Sequence, residues 1–252
     1  MSIRLTPAVK AILIICFAAF VIQQTGDQFL GTHLVDLFGL IPRELLLYHR
    51  YWQVLTYAFL HGDVMHLFFN LLLLAFIGSE LEMVWGVKQF LKYYLFCAIS
   101  SGLVYLGLQV FFLKGSGLHI PLIGASGAIY GLLMAFGLLF GERVMLFMLL
   151  FPIKAKHFVL ILGLFELMTT FYSGRGVASV AHLAGMVAGF GYLWARARFI
   201  IMKKNHLSLA ERTKRFKRRR SKHLKLIVNN PKQSGSDPDD DDSKGAPPQL
   251  WH

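Results

Sequence analysis

Apolar residues recur along this chain in six long runs, separated by short breaks that carry glycine, proline or charge. The runs cover residues 8–24, 65–85, 90–112, 122–140, 157–172 and 177–194. A helix that crosses the hydrocarbon core of a bilayer needs ~20 mostly apolar residues, so each run is read as a membrane span. A further apolar run, 144–153, is cut off from the fifth span by Pro152, Lys154 and Lys156 and reads as a segment on the membrane surface. The first run follows a few polar residues and lacks a small-residue cleavage pattern, so it is not read as a removable signal peptide. The connection between residues 24 and 64 is long, and long connections are often functional. Its apolar patch Leu45-Leu46-Leu47-Tyr48 and the pair Tyr51-Trp52 suit a loop partly buried in the outer leaflet, with a plain aqueous loop as the alternative.

Composition narrows the class. The 252 residues are 55% hydrophobic and 16% charged, where a soluble domain averages ~25% charged. Only 19 of the 40 charges fall in the first 195 residues, too few to cover a water-facing surface. A water-soluble enzyme and a wholly disordered chain are both excluded. The net charge of +12 lies mainly in the tail, where residues 203–225 hold 11 basic side chains and one acid, Glu211. With six spans both termini share one side. The segments on that side carry 22 basic residues against 4 on the other, and 7 against 4 without the tail. The positive-inside rule then places both termini in the cytoplasm. The short N-terminus carries no organelle-type presequence, which points to a prokaryotic inner membrane. The basic stretch is expected at the anionic inner leaflet, as a topology anchor first and a lipid-binding segment second. Phe216 alone is too little aromatic interleaving to support RNA binding, so no nucleic acid is expected. Residues 229–252, with the acidic run 239–242, read as disordered. The resulting division is a membrane domain over 1–200, a basic juxtamembrane segment over 201–228 and an acidic tail. Cys16 and Cys97 both sit inside apolar runs and make neither a disulfide framework nor a metal site.

Polar groups inside spans are costly, which makes each a functional candidate. Spans two, four and six all enter from the outer side. His66 and Asn70 lie in the first turns of span two, and Ser126 and His182 each lie about one turn into their spans. At ~1.5 Å rise per residue these four share one level of the outer leaflet. Each has a bland reading taken alone: a membrane serine mostly bonds back to its own helix, and a lone histidine serves as a core partner or a proton relay. The run Gly124-Ala125-Ser126-Gly127-Ala128-Ile129-Tyr130-Gly131 surrounds one hydroxyl with small residues, and His182 is followed by Gly185 and Gly189 on the same face. Small faces let helices approach closely, and such packing would bring Ser126 to His182. A serine hydroxyl needs a base to become a nucleophile, and histidine suits that role. Acyl transfer also needs donors for the oxyanion, for which His66, the Asn70 amide and the Ser126 N–H are available. Tyr130, one turn from Ser126, is placed to orient the histidine ring. No acidic residue is assigned as a third member, so the reading is a dyad. Glu166, in span five, reads as a partner for a neighbouring helix or part of a gate.

These residues resemble the rhomboid family of intramembrane serine proteases. The matching pieces are His61 with His66-Leu67-Phe68-Phe69-Asn70, then Gly124-Ala125-Ser126-Gly127, then His182-Leu183-Ala184-Gly185. Trp52, Glu82 and Gly141-Glu142-Arg143 are lesser matches, and the resemblance runs from about Tyr51 to Trp194. It implies an all-α, six-helix bundle with a cavity that opens outward and a cytoplasmic C-terminal tail. It implies Ser126 as nucleophile and His182 as general base and then acid. It implies His66, Asn70 and the Ser126 amide as the oxyanion hole, Tyr130 stacked on His182, and His61 supporting the loop above the cavity. Gly124, Gly127 and Gly185 support the site. No metal or other cofactor is expected, and the substrates are transmembrane proteins cut near a helix-unwinding region. One departure is Trp52-Gln53, where the family often has Trp-Arg. Gln53 keeps hydrogen bonding but loses the charge and fork of arginine, which bears on loop rigidity and not on the chemistry. Two other classes remain: a non-enzymatic membrane-protein binder or chaperone on the same fold, and a proton channel or transporter using His66 and His182 as a relay.

Overall fold

The computed structural model describes residues 4–111, 115–147, 151–172 and 176–228. The chain divides into two compact units, Met1–Arg198 and Phe199–His252. In the second unit, residues 199–228 are helical. The acidic tail 229–252 lies outside the described residues.

The first unit opens with α1, Pro7–Thr25, which continues as a π-helical turn over Gly26–Leu30. Pro7 occupies a first-turn position, where a missing N–H costs nothing. The Ala8 and Val9 amides there would be orphaned in an apolar medium. Both are taken by the Glu82 carboxylate at 2.9 Å, and Thr6 Oγ1 donates to it at 2.5 Å. The buried positions of α1, among them Val9, Ile12, Cys16 and Phe20, recur at helical spacing, while Ile14, Phe17 and Ile22 on the other faces are equally apolar but exposed. A helix that is apolar all round and covered on one side only is suited to lipid on the other.

Three short helices follow: α2 Leu34–Phe38, α3 Pro42–Tyr48 and α4 Gln53–Thr56. The fully buried Gln53 side chain pins this loop. Its Oε1 accepts from the Ile41 N–H at 3.1 Å, and its Nε2 donates to the Asp36 carbonyl at 3.1 Å. Trp52 Nε1 donates to the Leu37 carbonyl at 2.9 Å. A neutral amide thus ties together backbone groups that are themselves neutral, so the lost charge leaves no unmet demand. Leu47, Tyr48, Tyr51 and Trp52 stay exposed.

Next come α5 Val64–Leu73, a π-helical turn over Leu74–Gly78, α6 Ser79–Trp85 and α7 Val87–Phe111. Asp63 caps α5 by accepting the His66 N–H at 2.8 Å, a standard use of an acid at that position. The fourth apolar run departs from the sequence expectation. Its helix, α8, covers only Ser126–Leu139, 14 residues, or ~21 Å of rise. The lead-in is extended: Leu122 and Leu40 exchange two backbone bonds of 3.0 Å in an antiparallel bridge. Gly124, at φ +115°, breaks the helical path just before Ser126. Among the described residues, five helical stretches are long and apolar enough to cross a membrane, at Pro7–Leu30, Val64–Trp85, Val87–Phe111, Ala155–Tyr172 and Ala178–Asn205.

Of the run 144–153, expected as an apolar surface segment, the described residues 144–147 and 151–153 lie in two paired strands, a departure from the all-α expectation. Strand β1, Val144–Phe147, pairs antiparallel with β2, Phe151–Lys154, with Val144 opposite Lys154 and Phe147 opposite Phe151. Pro152 cannot join a helix interior but is tolerated in a two-stranded ribbon. One end of this strand pair is ionic. Arg143 meets Glu80 at 2.7 Å, and Glu142 meets Lys154 at 2.7 Å and also Lys156. Hydrogen bonds from these two ammonium groups hold the exposed Glu142 carboxyl down to about 2. The last two helices are α9, Ala155–Tyr172, and α10, which begins at Gly176.

The bundle closes around α8, packed between α7 and α10. A Cβ on Gly127 would lie 2.2 Å from Ser101 Oγ of α7, and one on Gly131 would lie 2.5 Å from Cys97 Sγ. On the other side, a Cβ on Gly185 would lie 2.0 Å from the Gly127 carbonyl oxygen. Ser101 Oγ also donates to the Ala181 carbonyl at 2.6 Å, and Tyr93 OH to the Gly131 carbonyl at 2.8 Å.

Because the obstacle at Gly185 is backbone, Gly185→Ala should cost about 3 kcal/mol or more. Gly107→Ala, in α7 with nothing within 4 Å of the added carbon, should be neutral or gain up to about 1 kcal/mol from helix propensity. Thermal unfolding of the two variants in detergent checks both; equal melting temperatures would refute the tight crossing.

Candidate active site

Ser126 is the first residue of α8, so its N–H belongs to the helical turn that has no intrahelical acceptor. Its Oγ lies 2.7 Å from His182 Nε2 of α10. The two side chains come from different helices and 56 positions apart in sequence. What brings them together is the glycine contact one residue beyond Ser126 and three beyond His182. Tyr130 lies flat on the His182 ring, with centroids 4.4 Å apart and planes 3° from parallel. Ser126 and His182 are both partly exposed, so a reactant has access to them.

His66 projects from the first turn of α5 toward the same place. Gly124 leaves room for it: a Cβ there would lie 2.8 Å from His66 Nε2 and Cε1. Together with its positive φ, this makes position 124 a glycine on two independent grounds. The His66 ring also has a defined proton. Nδ1 accepts the Gly62 N–H at 3.3 Å, so in the neutral ring the hydrogen sits on Nε2, the atom that faces Gly124.

Asn70 lies one turn further along α5 and is buried. Its Nδ2 donates to the His66 carbonyl at 2.8 Å; a second N–H remains on that nitrogen. In this geometry Asn70 is tied to its own helix and not to Ser126. His61 is fully buried. Its backbone N–H and carbonyl are both bonded by the Gln23 side chain of α1, at 3.2 and 3.0 Å. Its ring meets that of His66 edge-on, 5.1 Å between centroids. His61 therefore ties the loop before α5 to α1 and buttresses His66.

Sequence reasoning left one residue out of the group. Glu166 of α9 accepts from His182 Nδ1 at 2.9 Å and from the Tyr130 hydroxyl. The signal was present in the register. Glu166 lies six residues before the end of α9 at Tyr172, and His182 six residues after the start of α10 at Gly176. Two antiparallel helices joined by a few residues carry positions equidistant from that junction at one depth.

The fold and site together define a helical membrane protein with a serine–histidine pair at the head of a short central helix. Comparison with known proteins gives the same class. The rhomboid domain matches residues 48–199, and the chain belongs to the rhomboid family. It is 27% identical over 187 residues to the rhomboid protease GlpG of Yersinia pseudotuberculosis serotype I (strain IP32953). It has the same identity to the GlpG proteins of Yersinia enterocolitica serotype O:8 / biotype 1B and Yersinia pestis (strain Pestoides F). Each match covers 73% of this chain and 60% of the relative.

Burial pushes the His61 imidazole from 6.5 down to about 4; the nearby His66 ring acts in the same direction, and the Phe59 carbonyl opposes them. Between those values the unfolded chain binds a proton that the folded chain does not, so stability rises with pH through this window and is lost as pH falls. Melting temperature should therefore drop from pH 6.5 toward 4, and His61→Phe should flatten that slope. An unchanged slope in the variant would remove His61 as its origin.

Proposed function

We propose that this protein is an intramembrane serine endopeptidase that hydrolyses peptide bonds of membrane proteins in or near their transmembrane segments. The observation that carries this reading is the 2.7 Å contact between Ser126 Oγ and His182 Nε2, within hydrogen-bond reach for a nucleophile and its base. Ser126 Oγ attacks the scissile carbonyl carbon as His182 Nε2 takes its proton. The C=O π pair moves onto oxygen. That oxyanion is received by the Ser126 N–H at the positive end of α8 and by the Nε2–H of His66. Asn70 joins them by turning its amide from the His66 carbonyl toward the reacting centre. As the tetrahedral species collapses, the C–N bond breaks and His182 returns the proton to the leaving amine. Water then attacks the acyl-serine, with His182 again as base, and releases the second fragment.

A substrate helix hides its peptide bonds in its own hydrogen bonds, so it must unwind locally before its carbonyl can reach Ser126. That favours substrates with helix-weakening residues near the cut. We read the bundle as six crossings, with α8 as the fourth, and both termini on the cytoplasmic side of a prokaryotic inner membrane. The basic helix after residue 200 then rests on anionic lipid, where each cation near the surface contributes ~1 kcal/mol.

Ser126→Ala, reconstituted in nanodiscs with a single-span substrate, should lose all cleavage while keeping the wild-type melting temperature. A phosphonate that reacts with activated serines should label the wild type at Ser126 and leave the variant unlabelled. Full cleavage by the variant would overturn Ser126 as the nucleophile, whereas a wild type that neither cleaves nor takes the label would favour a binder or chaperone. Asn70→Ala should retain the label and lose ~10²–10³-fold in kcat, the usual effect of one oxyanion donor.

A further inference from the structure

A buried carboxylate inside an apolar bundle is costly and persists where it is paired and hydrogen-bonded. Glu166 is such a group: its side chain is 8% exposed, against 21% for His182. Among the described residues its ion-pair partner is His182, with Nδ1 at 2.9 Å. The same Oε1 accepts the Tyr130 hydroxyl. Thr169 Oγ1 stands 3.5 Å from Oε2, and it lies 2.6 Å from Ser179 Oγ on α10. The carboxylate is thus held from its own helix, from α8 and from α10, with the histidine ring clamped between the Tyr130 ring and this anion.

We propose that Glu166 is a positioning residue for the reaction, which makes the working unit Ser126–His182–Glu166 and not a dyad. The inference rests on the protease reading and adds the element that sets the state of its base. A neutral imidazole carries one proton. The carboxylate accepts it at Nδ1, which leaves the Nε2 lone pair directed at Ser126 Oγ, the only arrangement in which Nε2 can take a proton. When the Ser126 proton arrives, the ring becomes a cation. Glu166 stays ionised beside it and receives no proton, so the charge formed in the transition state is met by one already in place. Tyr130 has two tasks here. Its ring fixes the plane of His182, and its hydroxyl occupies Glu166 Oε1 from the side, which limits rotation of the carboxylate. Without Glu166 the ring could hold its proton on either nitrogen, and the state with Nε2–H is inert as a base.

The test compares Glu166→Gln, which keeps shape and an acceptor but removes the charge, with Glu166→Asp, which keeps the charge on a shorter arm. Glu166→Gln should lower kcat and the rate of phosphonate labelling at Ser126 in parallel, by ~10²–10⁴-fold. KM should stay within about twofold of wild type and the melting temperature should not fall, and Glu166→Asp should recover part of the loss. A purely structural cross-tie would instead lower the melting temperature and leave kcat of the folded fraction intact. A folded Glu166→Gln with wild-type kcat and labelling rate overturns the proposal. If Glu166→Gln does not fold, the wild type decides: ¹⁵N-histidine NMR, with His182 assigned by its loss in His182→Ala, should show the Nδ1–H form. An Nε2–H form would overturn the proposal. Failure of the reading it rests on is separately visible, as cleavage retained by Ser126→Ala or as a wild type that neither cleaves nor takes the label.

Discussion

The structure depends on one contact, the backbone-to-backbone approach of α8 and α10 at Gly127 and Gly185. No side chain intervenes there: an added carbon at Gly185 would fall 2.0 Å from the Gly127 carbonyl oxygen. In lipid there is little hydrophobic gain from bringing two apolar helices together, so close van der Waals fit and interhelical hydrogen bonds hold them. That fit sets the Ser126–His182 distance without any loop having to be ordered. It also explains Gly185, since a side chain there would push the helix that carries the base away from the hydroxyl.

Polar groups form a second layer, and their distribution reverses that of a soluble protein. The exterior is apolar, with Phe17, Phe68, Leu160 and Phe165 exposed. Glutamate, glutamine and serine lie inside. Four of them answer defined demands. Glu82 takes the first amides of α1, Gln53 gathers the loop backbone, Gln23 holds both backbone groups of His61, and Ser101 bridges α7 to the residue before His182. Unpaired, such groups would be expensive in a medium without water. Paired across helices, they fix rotation and register, which apolar packing alone leaves loose.

The sequence made much of this legible because membrane constraints are strict. Four of the long apolar runs match helical stretches to within a few residues and a fifth matches the start of α10 at Gly176, and the small-residue faces around Ser126 and His182 predicted their approach. Three features escaped for physical reasons. The run 122–140 is apolar throughout, yet helix forms only from Ser126, because Gly124 takes a positive φ and Leu122 bonds to Leu40; hydropathy does not register a local dihedral. The strands β1 and β2 are short, and short apolar runs carry no distinguishing period. Glu166 was set aside because a carboxylate has many uses in a bundle, and its place beside His182 follows from the register of α9 against α10 and not from its neighbours in sequence.

The brevity of α8 has a consequence for how this protein can change. Its far end, at Leu138 and Leu139, is exposed, whereas its first ten residues are largely enclosed, so the helix acts as a ruler running inward from one surface to the nucleophile. Depth and azimuth on that ruler are coupled: one inserted residue moves Ser126 by ~1.5 Å and swings it by ~100°. The first change would be tolerable, but the second removes the hydroxyl from His182. Adjustment to a thicker or thinner bilayer is therefore closed to this helix and falls to the longer ones around it, whose ends can lengthen or tilt. The level at which the protein acts is thus quantised by its own geometry, while the membrane it inhabits is free to vary.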